Sequence, residues 1–180
     1  SAKPISPFIG NATKVTKHMT ISVGEKLPQG SLMKLGTEGP EPVSLDAITK
    51  GRKVVLFGVP GAFTALCSSA HLPSFMRTAD AFRAKGIDDI ICMSVNDPWV
   101  MEAWDQASGA SGAGIKMLAD PDGRLTVAMG LDFSAPPVGF VNRARRFAAV
   151  IDDGVVVTLQ EEQDTHVCNF TSGETLLETL

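Results

Sequence analysis

Residues 53–97 read KVVLFGVPGAFTALCSSAHLPSFMRTADAFRAKGIDDIICMSVND, and the patterning of this stretch decides the fold class. KVVLFGV (53–59) is a continuous apolar run with β-branched residues, as expected of a strand covered on both faces. Pro60-Gly61 then marks a turn. From Thr64 to about Lys85 the period changes. Leu72, Phe75, Met76, Ala79 and Phe82 recur at helical spacing, Gly86 closes the run, and Pro73 inside it predicts a kink or break. DIICMSVND (89–97) is again a buried strand.

Outward from this stretch, MTISVGEKLP (19–28) predicts a short strand ending in a turn. SLDAITKG (44–51) predicts a short helix with Ser44 as N-cap and Gly51 as its stop. DPWVMEAWDQAS (97–108) is a helix opened by Asp97 and Pro98. IKMLADPDG (115–123) is a strand and turn, and RLTVAMG (124–130) a helix. RRFAAVIDDGVVVTLQ (145–160) is a hairpin turning at Asp153-Gly154, and SGETLLETL (172–180) a helix capped by Ser172. Strands and helices alternate early and a hairpin follows. That order predicts an α/β fold, a mixed central β-sheet flanked by helices.

The 180 residues are 44 % hydrophobic and 20 % charged, the balance of an ordinary globular chain with a real core. The formal net charge of −4 gives no electrostatic reason to expect nucleic acid as a partner. No apolar run is long enough to predict a membrane span. The first residues, SAKPISPFIGNATKVTKHMT, carry Lys3, Lys14 and Lys17 and no acid. They read as a flexible extension over 1–19 ahead of a domain at 20–180, with an organelle-targeting remnant as the alternative. The cysteines are Cys67, Cys92 and Cys168. An odd, sparse set argues against a secreted disulfide framework and for a reducing compartment, cytoplasmic or mitochondrial.

Cys67 falls in the first turns of the helix expected from Thr64. Unpaired backbone N–H groups there favour a thiolate, the only nucleophilic form of the residue. The Thr64 hydroxyl is placed to cap that turn and to donate to the sulfur or to a substrate oxygen, and Pro60 and Gly61 bring the backbone close. The other reading is an inert, buried thiol, the usual state of a free cysteine. Position alone leaves both open.

LFGVPGAFTALCSSAHLPSF resembles the active-site segment of the peroxiredoxin family, in particular the peroxiredoxin 5 (type II, atypical two-cysteine) subfamily. Pro60, Thr64 and Cys67 meet its P-x-x-x-T-x-x-C frame. HLPSF, CMSVNDPWVM, LADPDG and NRARRFAAVIDDG resemble the subfamily in the same order, so the likeness runs from about residue 20 to the C-terminus. It implies a thioredoxin-like fold and a thiol-dependent peroxidase acting on hydrogen peroxide, alkyl hydroperoxides and peroxynitrite, with no metal or organic cofactor. Cys67 would become a sulfenic acid, and a thioredoxin-like or glutaredoxin/glutathione reductant would restore it. A homodimer is expected as well. The chain departs from the pattern at Ala65 and Leu66, where the subfamily usually has Pro and then Thr or Gly. The loss of the proline loosens this loop, and Leu66 adds an apolar wall.

The resemblance places the family's arginine at Arg146, with Arg143 and Arg145 as rivals. Strand alternation puts Arg146 on one face with Ala148 and Val150, and Arg145 on the other with Phe147, Ala149 and Ile151. Which face meets Cys67 is open at this level. His71 shares a helix face with Cys67 and reads as a catalytic partner or as a hydrogen-bonded structural histidine, and the resemblance supports the second. Cys67, His71, His166 and Cys168 fit no standard zinc spacing. Trp99, Met101 and Trp104 read as core or as a dimer contact. Cys92 reads as core. The family makes Cys168, in a loop expected to be exposed, the candidate resolving thiol, with Cys92 or an external thiol as alternatives. A thiol–disulfide oxidoreductase needs C-x-x-C, and Thr64 stands where the first cysteine would be. A redox sensor or holdase using Cys67 without turnover is the non-enzymatic alternative.

Overall fold

A computed structural model of the chain describes residues 19–164 and 166–180. The extension expected over 1–19 lies, but for Met19, outside these residues. The elements run β1 (Ser31–Gly36), β2 (Gly39–Ser44), α1 (Leu45–Thr49), β3 (Lys53–Val59), α2 (Leu72–Ala84), β4 (Asp89–Ser94) and α3 (Pro98–Ser108). They continue with β5 (Ile115–Ala119), α4 (Arg124–Ala128), β6 (Asp132–Ala135), β7 (Phe140–Ala144), β8 (Phe147–Asp152), β9 (Val155–Glu161) and α5 (Gly173–Leu177).

Among the described residues, seven strands form one sheet in the order β2-β1-β5-β4-β3-β8-β9. β3, β4 and β5 are parallel, while β1 and β8 pair antiparallel on either side. The mixed sheet is the expected one. Its central strands are apolar on both faces, and alternation sorts them into two cores. Val55, Phe57, Val59, Ile90, Cys92, Ala148 and Val150 face α2, α3 and α5 together with Cys67. Val54, Leu56, Ile91, Met93, Phe147, Ala149 and Ile151 face the other way, against Leu45 of α1 and Leu125 of α4.

Local chemistry sets the element ends. Ser44, Asp97 and Ser172 each accept a backbone N–H of the helix they precede. Asp153 (φ 49°) and Gly154 (φ 78°) both lie in the left-handed region, as the two-residue turn between β8 and β9 requires.

One expectation is corrected, and two strand pairs appear that the sequence did not announce. MTISVGEKLP forms no strand; it holds a single bridge, Lys26 to Val155. Its N–H groups bond out to scattered carbonyls instead, Ile21 to Met129, Gly24 to Val156 and Leu27 to Gly154, so no ladder forms. The sheet is extended instead by the β1–β2 hairpin, in which Pro40 and Pro42 obscure the strand pattern. Proline is tolerated there because β2 is an edge strand. The two-stranded β6–β7 sheet also has no clear pattern in sequence, its strands being separated by Pro136-Pro137.

Candidate active site

The segment leading to Cys67 is built from turns. After β3, Pro60 is buried, Phe63 takes a positive φ of 62°, and Asn96 Oδ1 holds the Ala62 N–H at 3.0 Å. Helical backbone begins at Ala65, and residues Cys67–His71 form a π turn in which the Leu72 N–H bonds to the Cys67 carbonyl. Pro73 follows within the first two positions of α2. It lacks an N–H and its ring clashes with the preceding turn, so the widened π turn is how the helix accommodates it. The break expected at Pro73 is therefore a π-to-α junction. Trp104 Nε1 donates to Ser68 Oγ at 3.1 Å and ties this turn to α3.

Cys67 is completely buried, and Arg146 is 1 % exposed. Arg146 Nη2 donates to Cys67 Sγ at 3.2 Å. Arg146 precedes β8, and its side chain lies on the face of Ala148 and Val150, which is the face of Cys67. The rivals point elsewhere. Arg143 donates to the Pro60 carbonyl at 3.2 Å and stacks its guanidinium on Phe140 at 5.0 Å. Arg145 spans the carbonyls of Asp132 and Gly130 and the carboxylate of Glu161.

Arg146 Nη1 lies 3.0 Å from His71 Nδ1, and His71 Nε2 lies 2.9 Å from the Thr171 carbonyl. Arginine only donates and a carbonyl only accepts, so Nδ1 carries the lone pair and Nε2 the proton. Burial against Phe57 and Phe75 first, and the Arg146 charge second, lower the His71 pKa from 6.5 to about 3, with the Thr171 carbonyl opposing. His71 is thus a neutral, hydrogen-bonded residue that holds Arg146.

The expected Thr64 geometry is corrected in part. Its hydroxyl donates to the Gly61 carbonyl at 2.7 Å, so the proton is not aimed at the sulfur, while its carbonyl accepts the Ser68 N–H. Thr64, Pro60, Ala65, Leu66, Val138, Phe140 and His166 line a cavity of about 510 Å³ that reaches Arg146. Leu66, a departure from the family pattern, is one of its apolar walls.

Cys92 is completely buried in β4, and burial pushes its thiol well above the usual range. The expectation of an exposed Cys168 is corrected. It is half-buried, its Sγ is 3.8 Å from Thr171 Oγ1, and burial raises its pKa. The reason is Glu162, a buried carboxylate that draws the end of this loop inward. Trp104 and Met101 are core residues, whereas Trp99 is exposed. Among the described residues no group of three or more His, Cys, Asp or Glu is arranged to hold a metal ion. No helix among them is long and apolar enough to cross a membrane.

The Redoxin family model matches residues 22–177. The chain is 45 % identical over 148 residues to peroxiredoxin-2E-2, chloroplastic, of Oryza sativa subsp. japonica. That match takes in 80 % of this chain and 66 % of the rice protein, so the chain spans just under two thirds of that relative. The chain belongs to the peroxiredoxin family. Among solved structures, this peroxiredoxin resembles reduced Prx3 of Vibrio vulnificus in complex with H2O2, at 42 % identity and a TM-score of 0.83 over 89 % of this chain and 99 % of that one. It also resembles peroxiredoxin 5 of Alvinella pompejana, at 31 % identity and a TM-score of 0.76 over 88 % and 97 % of the two chains. Its fold is accordingly thioredoxin-like, and its activity is that of a thiol-dependent peroxidase, an oxidoreductase.

The resemblance favoured a structural His71 over a catalytic one, and nothing in the sequence pointed to Thr171 or Glu162. The spacing of His71 from Cys67 was the one available signal. The other two are joined to the site only by contacts across the fold.

Proposed function

We propose that Cys67 is the peroxidatic cysteine, that Arg146 holds its sulfur and the reacting oxygen, and that Pro60 and Thr64 shape the entry. The observation that carries this reading is the buried guanidinium, with one arm on Cys67 Sγ and the other on a neutral histidine, at the end of a mostly apolar cavity. A guanidinium so placed holds the sulfur by a direct hydrogen bond at the point where peroxide must arrive. It also meets the negative charge that develops on a peroxide oxygen as the O–O bond stretches.

The sulfur lone pair attacks one peroxide oxygen. An S–O bond forms as the O–O bond breaks, and the leaving alkoxide or hydroxide takes up a proton. Cys67 is oxidised to sulfenic acid while the substrate is reduced to alcohol or water, or to nitrite in the case of peroxynitrite. Substrates are hydrogen peroxide, alkyl hydroperoxides and peroxynitrite. The thiol of Cys168 then attacks the sulfenic sulfur, forming a disulfide and releasing water. A thioredoxin-like protein, or glutaredoxin with glutathione, supplies the two electrons that restore both thiols. The domain spans 20–180 behind an N-terminal extension, acts as a homodimer, and works in the cytoplasm or mitochondrion.

The test is Cys67→Ser. Its hydroxyl is far less nucleophilic at neutral pH, so the variant should fold and lose peroxide turnover with dithiothreitol as reductant. Retained turnover would end the proposal. A single stoichiometric reaction in the unaltered protein, without turnover, would instead favour a sensor.

A further inference from the structure

Glu162 stands just beyond β9, 4 % exposed, with its carboxylate inside the molecule. One oxygen, Oε1, accepts the N–H of Phe170 at 2.6 Å, the N–H of Thr171 at 3.1 Å and the hydroxyl of Thr171 at 3.2 Å. The other, Oε2, is buried with no hydrogen-bond partner among the described residues. A carboxylate held this way is costly for the fold, and each such group asks for a reason.

The reason lies in what the contacts connect. The Glu162 N–H bonds to the Arg146 carbonyl at 3.0 Å. Thr171, gripped by Oε1, presents its carbonyl to His71 Nε2 at 2.9 Å. His71 Nδ1 takes Arg146 Nη1 at 3.0 Å, and Arg146 Nη2 reaches Cys67. The contacts close a ring: Arg146 backbone, Glu162, Thr171, His71 and Arg146 side chain. Glu162, Thr171, His71 and Arg146 are all buried. Cys168 touches the ring through the Thr171 hydroxyl.

We propose that Glu162 is a positioning residue: by clamping Thr171 it orients His71 and so keeps the Arg146 guanidinium on Cys67, and the same clamp restrains the Cys168 loop. This rests on the reading of Cys67 and Arg146 given above. Hydrogen bonds to a charged acceptor are roughly twice as strong as neutral ones, so neutralising the carboxylate weakens all three grips together. Oxidation of Cys67 and mobility of Cys168 are thereby coupled in opposite senses. A tight clamp favours attack on peroxide, and a released clamp favours movement of Cys168.

The experiment compares Glu162→Gln with the full chain. With one equivalent of hydrogen peroxide, oxidation of Cys67 followed by mass should slow by about three- to tenfold, the scale of one weakened charge-assisted hydrogen bond. Alkylation of Cys168 by iodoacetamide should speed up by about threefold or more as the loop opens. The ring ¹⁵N shifts of His71 should lose their fixed Nε2–H signature. A role in stability alone would lower the melting temperature and leave these readouts of the folded protein unchanged, and that result would overturn the proposal.

Thr171→Val removes one grip and should move each readout in the same direction by less; if Glu162→Gln does not fold, this variant decides. If neither folds, hydrogen exchange in the unaltered chain decides. The Phe170 and Thr171 amides should exchange together with the His71 ring proton, and independent exchange would reject the clamp. If Cys67 of the unaltered chain is not oxidised at all, the peroxidatic assignment has failed, while the His71 and Cys168 readouts still judge the clamp.

Discussion

Arg146 and Cys67, 79 positions apart in the chain, meet with Nη2 3.2 Å from Sγ, both residues buried. The contact depends on strand parity. Arg146 precedes β8 on the face of Ala148 and Val150, and β8 lies beside β3, whose Val55 and Phe57 share that face. A shift of one residue would send the guanidinium into the opposite core.

Arg146→Ala should therefore slow oxidation of Cys67 by hydrogen peroxide by about tenfold or more, since each 1.36 kcal/mol of lost transition-state stabilisation is a factor of ten. Arg146→Lys should restore little, because a single ammonium cannot span both His71 and the sulfur in the planar geometry of a guanidinium. Arg143→Ala and Arg145→Ala should have much smaller effects, their contacts lying at Pro60 and around β6. Stopped-flow oxidation of the four variants is the measurement; equal slowing in all would remove Arg146 from its role.

His71 predicts an acid-sensitive fold. Its pKa falls from 6.5 to about 3 on folding, so between these values the unfolded chain binds a proton that the folded chain does not. Its contribution to stability is intact above pH 6.5 and is lost progressively as pH falls toward 3, at up to about 1.4 kcal/mol per pH unit. Urea unfolding between pH 7 and pH 4 should show this slope. His71→Gln, which can still accept from Arg146 and donate to Thr171, should flatten it. An unchanged slope in that variant would assign the acid sensitivity to other groups.

Cys168 rather than Cys92 should be the partner of oxidised Cys67. Cys92 is locked in β4 between β3 and β5, so moving it would break ladders on both sides. Cys168 lies in a loop and is only half-buried. One equivalent of peroxide, quenching, digestion and mass mapping should yield a Cys67–Cys168 peptide pair. A Cys67–Cys92 pair, or a sulfenic acid cleared only by added glutathione, would place the protein in another resolving class.

Gly173→Ala should loosen the same region by another route. A Cβ at Gly173 would stand 2.6 Å from the Ser74 carbonyl oxygen, and the Gly173 N–H bonds to Ser74 Oγ at 2.9 Å. Forcing α5 off α2 should cost about 1–3 kcal/mol, the usual range for overpacking a buried contact. Thermal unfolding measures this, and an unchanged midpoint would mean that the interface yields freely.

The local order of this protein is legible from its sequence because it is set by neighbours in the chain. The apolar run at 53–59 specifies a buried strand. Ser44, Asp97 and Ser172 cap the helices that follow them, and Asp153-Gly154 supplies the positive φ values of a hairpin turn. The peroxiredoxin motif around Cys67 is equally local, so the family was readable from it. Even Pro73 announced a break, though not that a π turn would absorb it.

The tertiary structure decided everything that depends on register and on distant partners. Strand alternation separated Arg145 from Arg146, yet only the packing of β8 beside β3, under the helix carrying Cys67, chose between the faces. His71 became a neutral support because Thr171, 100 positions away, offers a carbonyl to one nitrogen while Arg146 fills the other. Cys168 turned inward because Glu162 clamps the end of its loop, and the hairpin of Pro40 and Pro42 joined the sheet because an edge strand needs only one ladder. Chain neighbours set caps, turns and runs. Charge, burial and hydrogen-bond partners are set by groups that meet only once the chain has folded.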